Sequence, residues 1–361
     1  MSSIITEEKF GILANPLPVR DEPYAALGRD QILSLAGLQR AATEIRSWTG
    51  YKPTPLHSLD GLAKASRVSK IFYKDEGSRF GLGSFKALGG AYAVFALLRD
   101  EVHKATGVTP NSREMAKGAF LELTSKVTVT CATDGNHGRS VAWGARTFGC
   151  RCIIYVHETV SKARQEAIAA YGAEVRVIPG NYDNAVRQAA VEAAANGWFT
   201  VSDTSYEGYT EIPRDVMQGY GVALDESYSQ LPEHEWPTHV FVQAGVGGVA
   251  ASFCSYLWER FGAAAPTFVV VEPVLADCVI RTVREGRPTA DEGALNTIMA
   301  GLACGEISIL AWEILRNGLD AVLTISDDAA RETMRLLAEG RFGDQKIVAV
   351  IFHGMRTLFE G

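Results

Sequence analysis

Lys126-Val127-Thr128-Val129-Thr130-Cys131-Ala132, followed by Thr133-Asp134-Gly135-Asn136-His137-Gly138 and then by Arg139 to Phe148, is the stretch from which the fold is read. Val127, Val129 and Cys131 alternate with threonines, the period-two pattern of a strand, and Arg139 to Phe148 carries apolar residues at helical spacing. Strand, glycine-bearing loop and helix make one β-α step. The step recurs downstream: Cys152 to Val156 is strand-like, Ser161 to Tyr171 helical, Ala173 to Ile178 strand-like and Asp183 to Asn196 an alanine-rich helix, with Phe199 to Ser202 closing the run. A second run has strand His239 to Gln243, a glycine loop, helix Val249 to Phe261 and strand Phe268 to Val271. This repetition predicts an α/β fold of two lobes, each with a mainly parallel sheet flanked by helices, whose ligands collect at the carboxyl ends of the strands.

Upstream, Asp30 to Trp48 has the apolar spacing of an outer helix. Tyr51-Lys52-Pro53-Thr54-Pro55-Leu56 is stiffened into an extended segment, because the residue before each proline is pushed out of the helical region. Lys70 to Lys74 reads as a short strand. With no repeat period and no low-complexity tract, solenoids and linkers drop out. The predicted division is a larger lobe from residues 1–98 and 203–361 and a smaller inserted lobe from residues 99–202.

Composition narrows the class. The 361 residues are 47% hydrophobic and 21% charged, enough for two lobes with sizeable cores. A formal net charge of -7 and scattered Lys and Arg argue against nucleic acid or an anionic membrane as the main partner. Met1 to Lys9 lacks the basic and apolar regions of a leader, and no apolar run approaches bilayer length, so a cytoplasmic protein is expected. Six cysteines without a Cys-x-x-Cys spacing make neither a disulfide framework nor a zinc site; Cys150 and Cys152 read as one face of a strand.

Four stretches carry candidate chemistry. Gly83-Ser84-Phe85-Lys86-Ala87-Leu88-Gly89-Gly90 sets a lysine between a glycine-rich approach and the apolar run Ala91 to Leu98, a loop-to-helix junction. The positive end of a helix dipole there favours the neutral amine, the form that attacks an aldehyde. An ordinary surface lysine with small neighbours is the alternative. Gln243-Ala244-Gly245-Val246-Gly247-Gly248 follows a strand and opens a helix, so its backbone N–H groups converge on an anion such as a phosphate. Gly245, Gly247 and Ala250 equally satisfy a relaxed dinucleotide pattern, with Glu272 at the distance expected of a ribose-binding acid; this loop alone does not separate a phosphate monoester from NAD. Thr133 to Gly138 can hold a substrate carboxylate through its backbone and Asn136, with helix capping by Asp134 and a core role for His137 as the alternatives. Asp203 follows a strand, where it is either a ligand-side carboxylate or a turn aspartate.

Together, the Ser84-Phe85-Lys86 motif, the Asn136 loop and the distant Gly245 to Gly248 loop resemble the tryptophan-synthase-like, fold-type II family of pyridoxal-phosphate enzymes, which includes the threonine and serine dehydratases. Asp134 stands where most dehydratases carry serine. With Arg79-Phe80-Gly81-Leu82, Asp203-Thr204, Glu207-Gly208-Tyr209, Glu272-Pro273, Ala276-Asp277-Cys278 and Ile298 to Glu306, the chain is similar to the diaminopropionate ammonia-lyases of that family from about Tyr51 to Leu315. The resemblance implies pyridoxal 5'-phosphate joined to Lys86, its phosphate on Gly245, Val246, Gly247 and Gly248, and Asn136 near the ring hydroxyl. It also implies proton transfer by Lys86, Asp134 and Asp203 and elimination of ammonia from 2,3-diaminopropionate. Ser84, Thr133, Gly135 and His137 are the candidate substrate contacts, and a homodimer the expected assembly. A dehydratase of serine, threonine or hydroxyaspartate would share the early steps. After Gly343 to Ala349, family members usually continue into a stretch bearing the partner of the pyridine nitrogen; here the chain stops at Gly361, which opens a further alternative, a shortened relative without catalysis.

Overall fold

The computed structural model describes residues 10–133 and 135–340. Met1 to Lys9, Asp134 and the stretch from Gly343 to Gly361 therefore lie outside the described residues. The strands are β1 (Phe10–Ala14), β2 (Leu56–Ser58), β3 (Phe72–Lys74), β4 (Thr128–Ala132), β5 (Arg151–His157), β6 (Glu174–Ile178), β7 (Phe199–Thr200), β8 (His239–Gln243), β9 (Thr267–Pro273) and β10 (Ala321–Ile325). Contacts divide the chain into two compact units. One holds the described residues up to Ile32, Thr54–Glu76 and those from Leu224 onward; the other holds Leu33–Pro53 and Gly77–Ala223.

In the second unit the sheet order is β6-β5-β4-β7, every pair parallel, as repeated β-α steps require. Helix Tyr182–Asn196 buries Ala185 and Ala189 against Ile153 and Tyr155 of β5. Helix Asn136–Phe148 packs against helix Lys86–Thr106, and the approach is close: a Cβ at Gly144 would stand 2.8 Å from Ala91 Cα. Helix Lys86–Thr106 is buried on all sides from Ala87 to Ala96, the signature of a central rather than an amphipathic surface helix. The boundary expected at residue 99 falls inside this helix, and the contacts assign the whole helix to the unit of the all-parallel sheet. Cys150, expected to share a strand with Cys152, instead precedes β5, its N–H donating to Ala145 O at 3.0 Å. That bond continues the helix end, so the strand begins one residue later.

In the first unit the sheet order is β1-β10-β9-β8, parallel except for β1, which runs antiparallel to β10. β2 and β3 form a separate antiparallel pair. Helix Gly248–Phe261 packs against helix Ile309–Gly318. Among the described residues no helix is long and apolar enough to cross a membrane.

Candidate active site

The approach to Lys86 is fixed by aromatic packing. Phe80 takes a left-handed conformation, φ +49°, uncommon for a residue with a side chain, and is held there by its ring, 5.8 Å from Trp48 and 4.9 Å from Trp143. Arg79 beside it is 1% exposed, its guanidinium 5.9 Å from the Tyr51 ring and its Nη1 donating to Lys52 O at 3.3 Å. Buried arginine and strained phenylalanine together aim the turn that ends at Ser84, whose Oγ accepts from Lys86 N at 3.3 Å. Lys86 is the first residue of helix Lys86–Thr106, the junction the sequence indicated.

Lys86 Nζ donates to Asp203 Oδ2 at 2.6 Å and stands 5.6 Å from the Phe85 ring and 5.5 Å from the Tyr220 ring. Burial works against the ammonium, but the facing Asp203 carboxylate outweighs it and holds the Lys86 pKa above the usual lysine range. The neutral amine expected from the helix dipole is thus not the resting state of the free side chain: a full charge at hydrogen-bond distance exceeds the dipole's partial charge. Asp203 mirrors this. Burial would raise its pKa, yet Lys86 and His137 keep it well below the carboxylate range.

Asp203 follows β7 in a turn pinned by Tyr209, whose hydroxyl donates to Thr200 O at 2.7 Å and accepts from Ser202 N at 3.0 Å. Its carboxylate is therefore aimed at Lys86 rather than spent within the turn. His137 Nε2 donates to Val201 O at 2.8 Å, which fixes the proton on that nitrogen and leaves Nδ1 facing Asp203 Oδ2 at 3.8 Å. Burial lowers the His137 pKa, against the opposing pull of Asp203. Thr133 Oγ1 accepts from Gly135 N at 3.2 Å and Gly138 N at 3.3 Å, and so serves the start of helix Asn136–Phe148, on which Asn136 is the first residue. Lys86, Asp203, His137 and Thr133 belong to one unit; Asp134 lies outside the described residues.

The Gly245 to Gly248 loop belongs to the other unit, after β8 and at the start of helix Gly248–Phe261. Side chains are excluded there. A Cβ at Gly245 would stand 2.9 Å from Cys304 Sγ, and Gly247 has φ +87°, where a Cβ would stand 3.1 Å from Ala311 Cβ. Bare backbone at a helix N-terminus fits a phosphate. Glu272 does not fit the ribose-binding role. It is fully buried, and its two carboxylate oxygens accept from Val279 N at 3.0 Å and Ile280 N at 2.7 Å, tying down the first turn of helix Cys278–Glu285. That removes the acid on which the dinucleotide reading of this loop depended.

Two features escaped the sequence reading. Tyr220 looks like any core aromatic in helix Glu211–Gln230, and Arg79 with Phe80 carried no signal beyond family resemblance.

Comparison with known proteins agrees with this chemistry. The family model described as pyridoxal-phosphate dependent enzyme matches residues 48–356. Diaminopropionate ammonia-lyase of Escherichia coli (strain K12) is 43% identical over 301 residues, covering 83% of this chain and 74% of that protein. Two crystal structures of the E. coli enzyme are similar to this one. The holo form has a TM-score of 0.83 at 37% identity, covering 94% of this chain and 82% of that one. The complex with an aminoacrylate-PLP azomethine reaction intermediate has a TM-score of 0.81 at 38% identity, with the same two coverages.

Proposed function

Since the chain belongs to the pyridoxal-phosphate-dependent enzymes, we propose that it is an ammonia-lyase that eliminates the β-amino group of 2,3-diaminopropionate. Loss of the α-hydrogen and of the β-amine as ammonia leaves an enamine, which water hydrolyses to pyruvate and a second ammonia. The observation that carries the reading is the half-buried Lys86–Asp203 pair at a helix start, in a chain so similar to enzymes of that name.

The residues that would hold the cofactor are Lys86 through its ε-amine, Gly245 to Gly248 through their amides at the phosphate, and Asn136 at the ring hydroxyl. When bound, pyridoxal 5'-phosphate would supply an electron sink that acidifies the α-hydrogen of the substrate. The rest falls to the chain's own side chains. Lys86 becomes a nucleophile only after giving up a proton, and Asp203 Oδ2, 2.6 Å away, stabilises the ammonium and so sets the pH at which that proton leaves. Asp134 and Asp203 are the two carboxylates that move protons at Cα and at the departing amine. An acid at position 134, where dehydratases carry serine, suits an amine leaving group that must be protonated to depart. Ser84, Thr133, Gly135 and His137 surround the substrate in this reading. The assembly is a homodimer and the compartment the cytoplasm, consistent with six free thiols.

The test is the visible spectrum of protein reconstituted with pyridoxal phosphate, before and after D- or L-2,3-diaminopropionate, beside Lys86→Ala. A cofactor band that needs Lys86, with pyruvate released from diaminopropionate, is the expected result. Pyruvate from serine but not from diaminopropionate would overturn the substrate; a band unchanged in Lys86→Ala would overturn the role of the lysine.

A further inference from the structure

Tyr220 is 1% exposed, and its hydroxyl is buried without a hydrogen bond of ordinary geometry. Buried hydroxyls nearly always find a partner, as donor or as acceptor, and phenylalanine would fill the same slot without the cost of an unpartnered oxygen. The ring is locked in place. A Cβ at Gly89 would stand 2.4 Å from Tyr220 Cε1, and Phe85 meets the ring edge-on, with centroids 4.9 Å apart and planes at 76°. Both neighbours flank Lys86, whose Nζ lies 5.5 Å from the Tyr220 centroid. A hydroxyl held rigid, lacking an ordinary hydrogen bond and interacting with the ε-amine of the candidate cofactor lysine, has a specific use.

We propose that Tyr220 is a positioning residue for Lys86, its hydroxyl oxygen taking a second N–H of the ε-ammonium whenever that side chain is free, while Asp203 takes the first. The inference rests on the reading of Lys86 as the cofactor lysine. The tyrosine keeps its own proton throughout: when the ammonium loses its proton to solvent, Asp203 stays ionised and the phenol remains a phenol. What the hydroxyl adds is direction, since a long side chain held at a single point swings about it.

The groups that act on this titration are Asp203 and Tyr220 at Lys86 itself and His137 at Asp203, while Cys131 and Tyr209 face the same carboxylate and are raised by it. Loss of one hydrogen bond to the ammonium lowers the pH at which the amine becomes reactive by about one unit. The experiment uses the full cofactor-free chain, wild type and Tyr220→Phe. It follows the rate of pyridoxal phosphate capture from the visible band across pH, and the rate of Lys86 acetylation by mass spectrometry, which needs no cofactor. In Tyr220→Phe both pH midpoints move down by about one unit and the capture rate on the high-pH plateau falls several-fold. Superimposable profiles, together with a raised melting temperature, would show a merely trapped hydroxyl and overturn the proposal. Failure of the wild type to capture the cofactor, or equal capture by Lys86→Ala, would instead overturn the cofactor-lysine reading itself.

Discussion

Asp203 decides the state of Lys86, and the pair shows how far a single residue's chemistry is legible. Lys86 stood out because glycines and small residues lead into it. Asp203 did not, because the contact that gives it meaning joins residues 117 positions apart; locally it is one more aspartate after a strand. Tyr220 had no local signal at all, its environment being made by Gly89 and Phe85 on another helix turn. Replacing Asp203 by Asn keeps the shape and removes the charge. With the carboxylate gone, burial governs Lys86 and the pH at which it captures the cofactor falls below that of the wild type. Turnover falls about a hundredfold or more, the usual contribution of a positioned proton-transfer group. Both effects are read from one cofactor-free capture profile and one pyruvate assay. Turnover at the wild-type rate would take Asp203 out of the proton path.

At the scale of elements, strand and helix positions followed from periodicity, because a half-buried strand and a packed helix impose different spacings. The ends were set by contacts the pattern does not encode. The helix expected over Asp30 to Trp48 is Leu35–Arg46, begun by the Ser34 side chain accepting from Gly37 N at 3.1 Å. Glu272 is the clearer case, an acid whose position suggested a ligand and whose structure makes it a helix cap. Burial pushes its pKa up to about 8 despite the two backbone donors. The folded chain therefore binds this proton more tightly than the unfolded chain, so the associated stability is complete below about pH 4 and is lost as pH rises towards about 8. Burial likewise pushes Asp215 up to about 7 and adds a slope in the same direction. Glu272→Gln removes the first contribution and leaves the second, so the decline of melting temperature between about pH 5 and about pH 8 becomes shallower without vanishing. Glu272→Ala costs about 1–3 kcal/mol, since both backbone donors lose their acceptor. An unchanged melting-temperature profile in Glu272→Gln would show that the buried carboxyl does not titrate in this range.

For the molecule as a whole, the two α/β units were legible from the two runs of β-α steps, but the way the chain is shared between them was not. Helix Lys86–Thr106 precedes the first run in sequence, yet it packs on helix Asn136–Phe148 through Gly144 and so belongs with that sheet. Lys86 and the Gly245 to Gly248 loop thus fall in different units, and the proposed part of each in cofactor binding is tested separately. Linkage makes this measurable. A ligand at about a hundred times its dissociation constant adds about 2.7 kcal/mol to the folded state, which for a chain of this size raises the melting temperature by about 4 °C. Pyridoxal phosphate is expected to give that rise in the wild type. Pyridoxal, which has the same aldehyde and no phosphate, gives a much smaller one at equal concentration, because the backbone amides at the start of helix Gly248–Phe261 have nothing to bind. Gly247→Ala, which forces a side chain into φ +87° beside Ala311, brings the response to pyridoxal phosphate down towards that of pyridoxal. Equal shifts with the two compounds in the wild type would place the phosphate away from this loop, and the glycines would then be explained by packing against Cys304 and Ala311 alone.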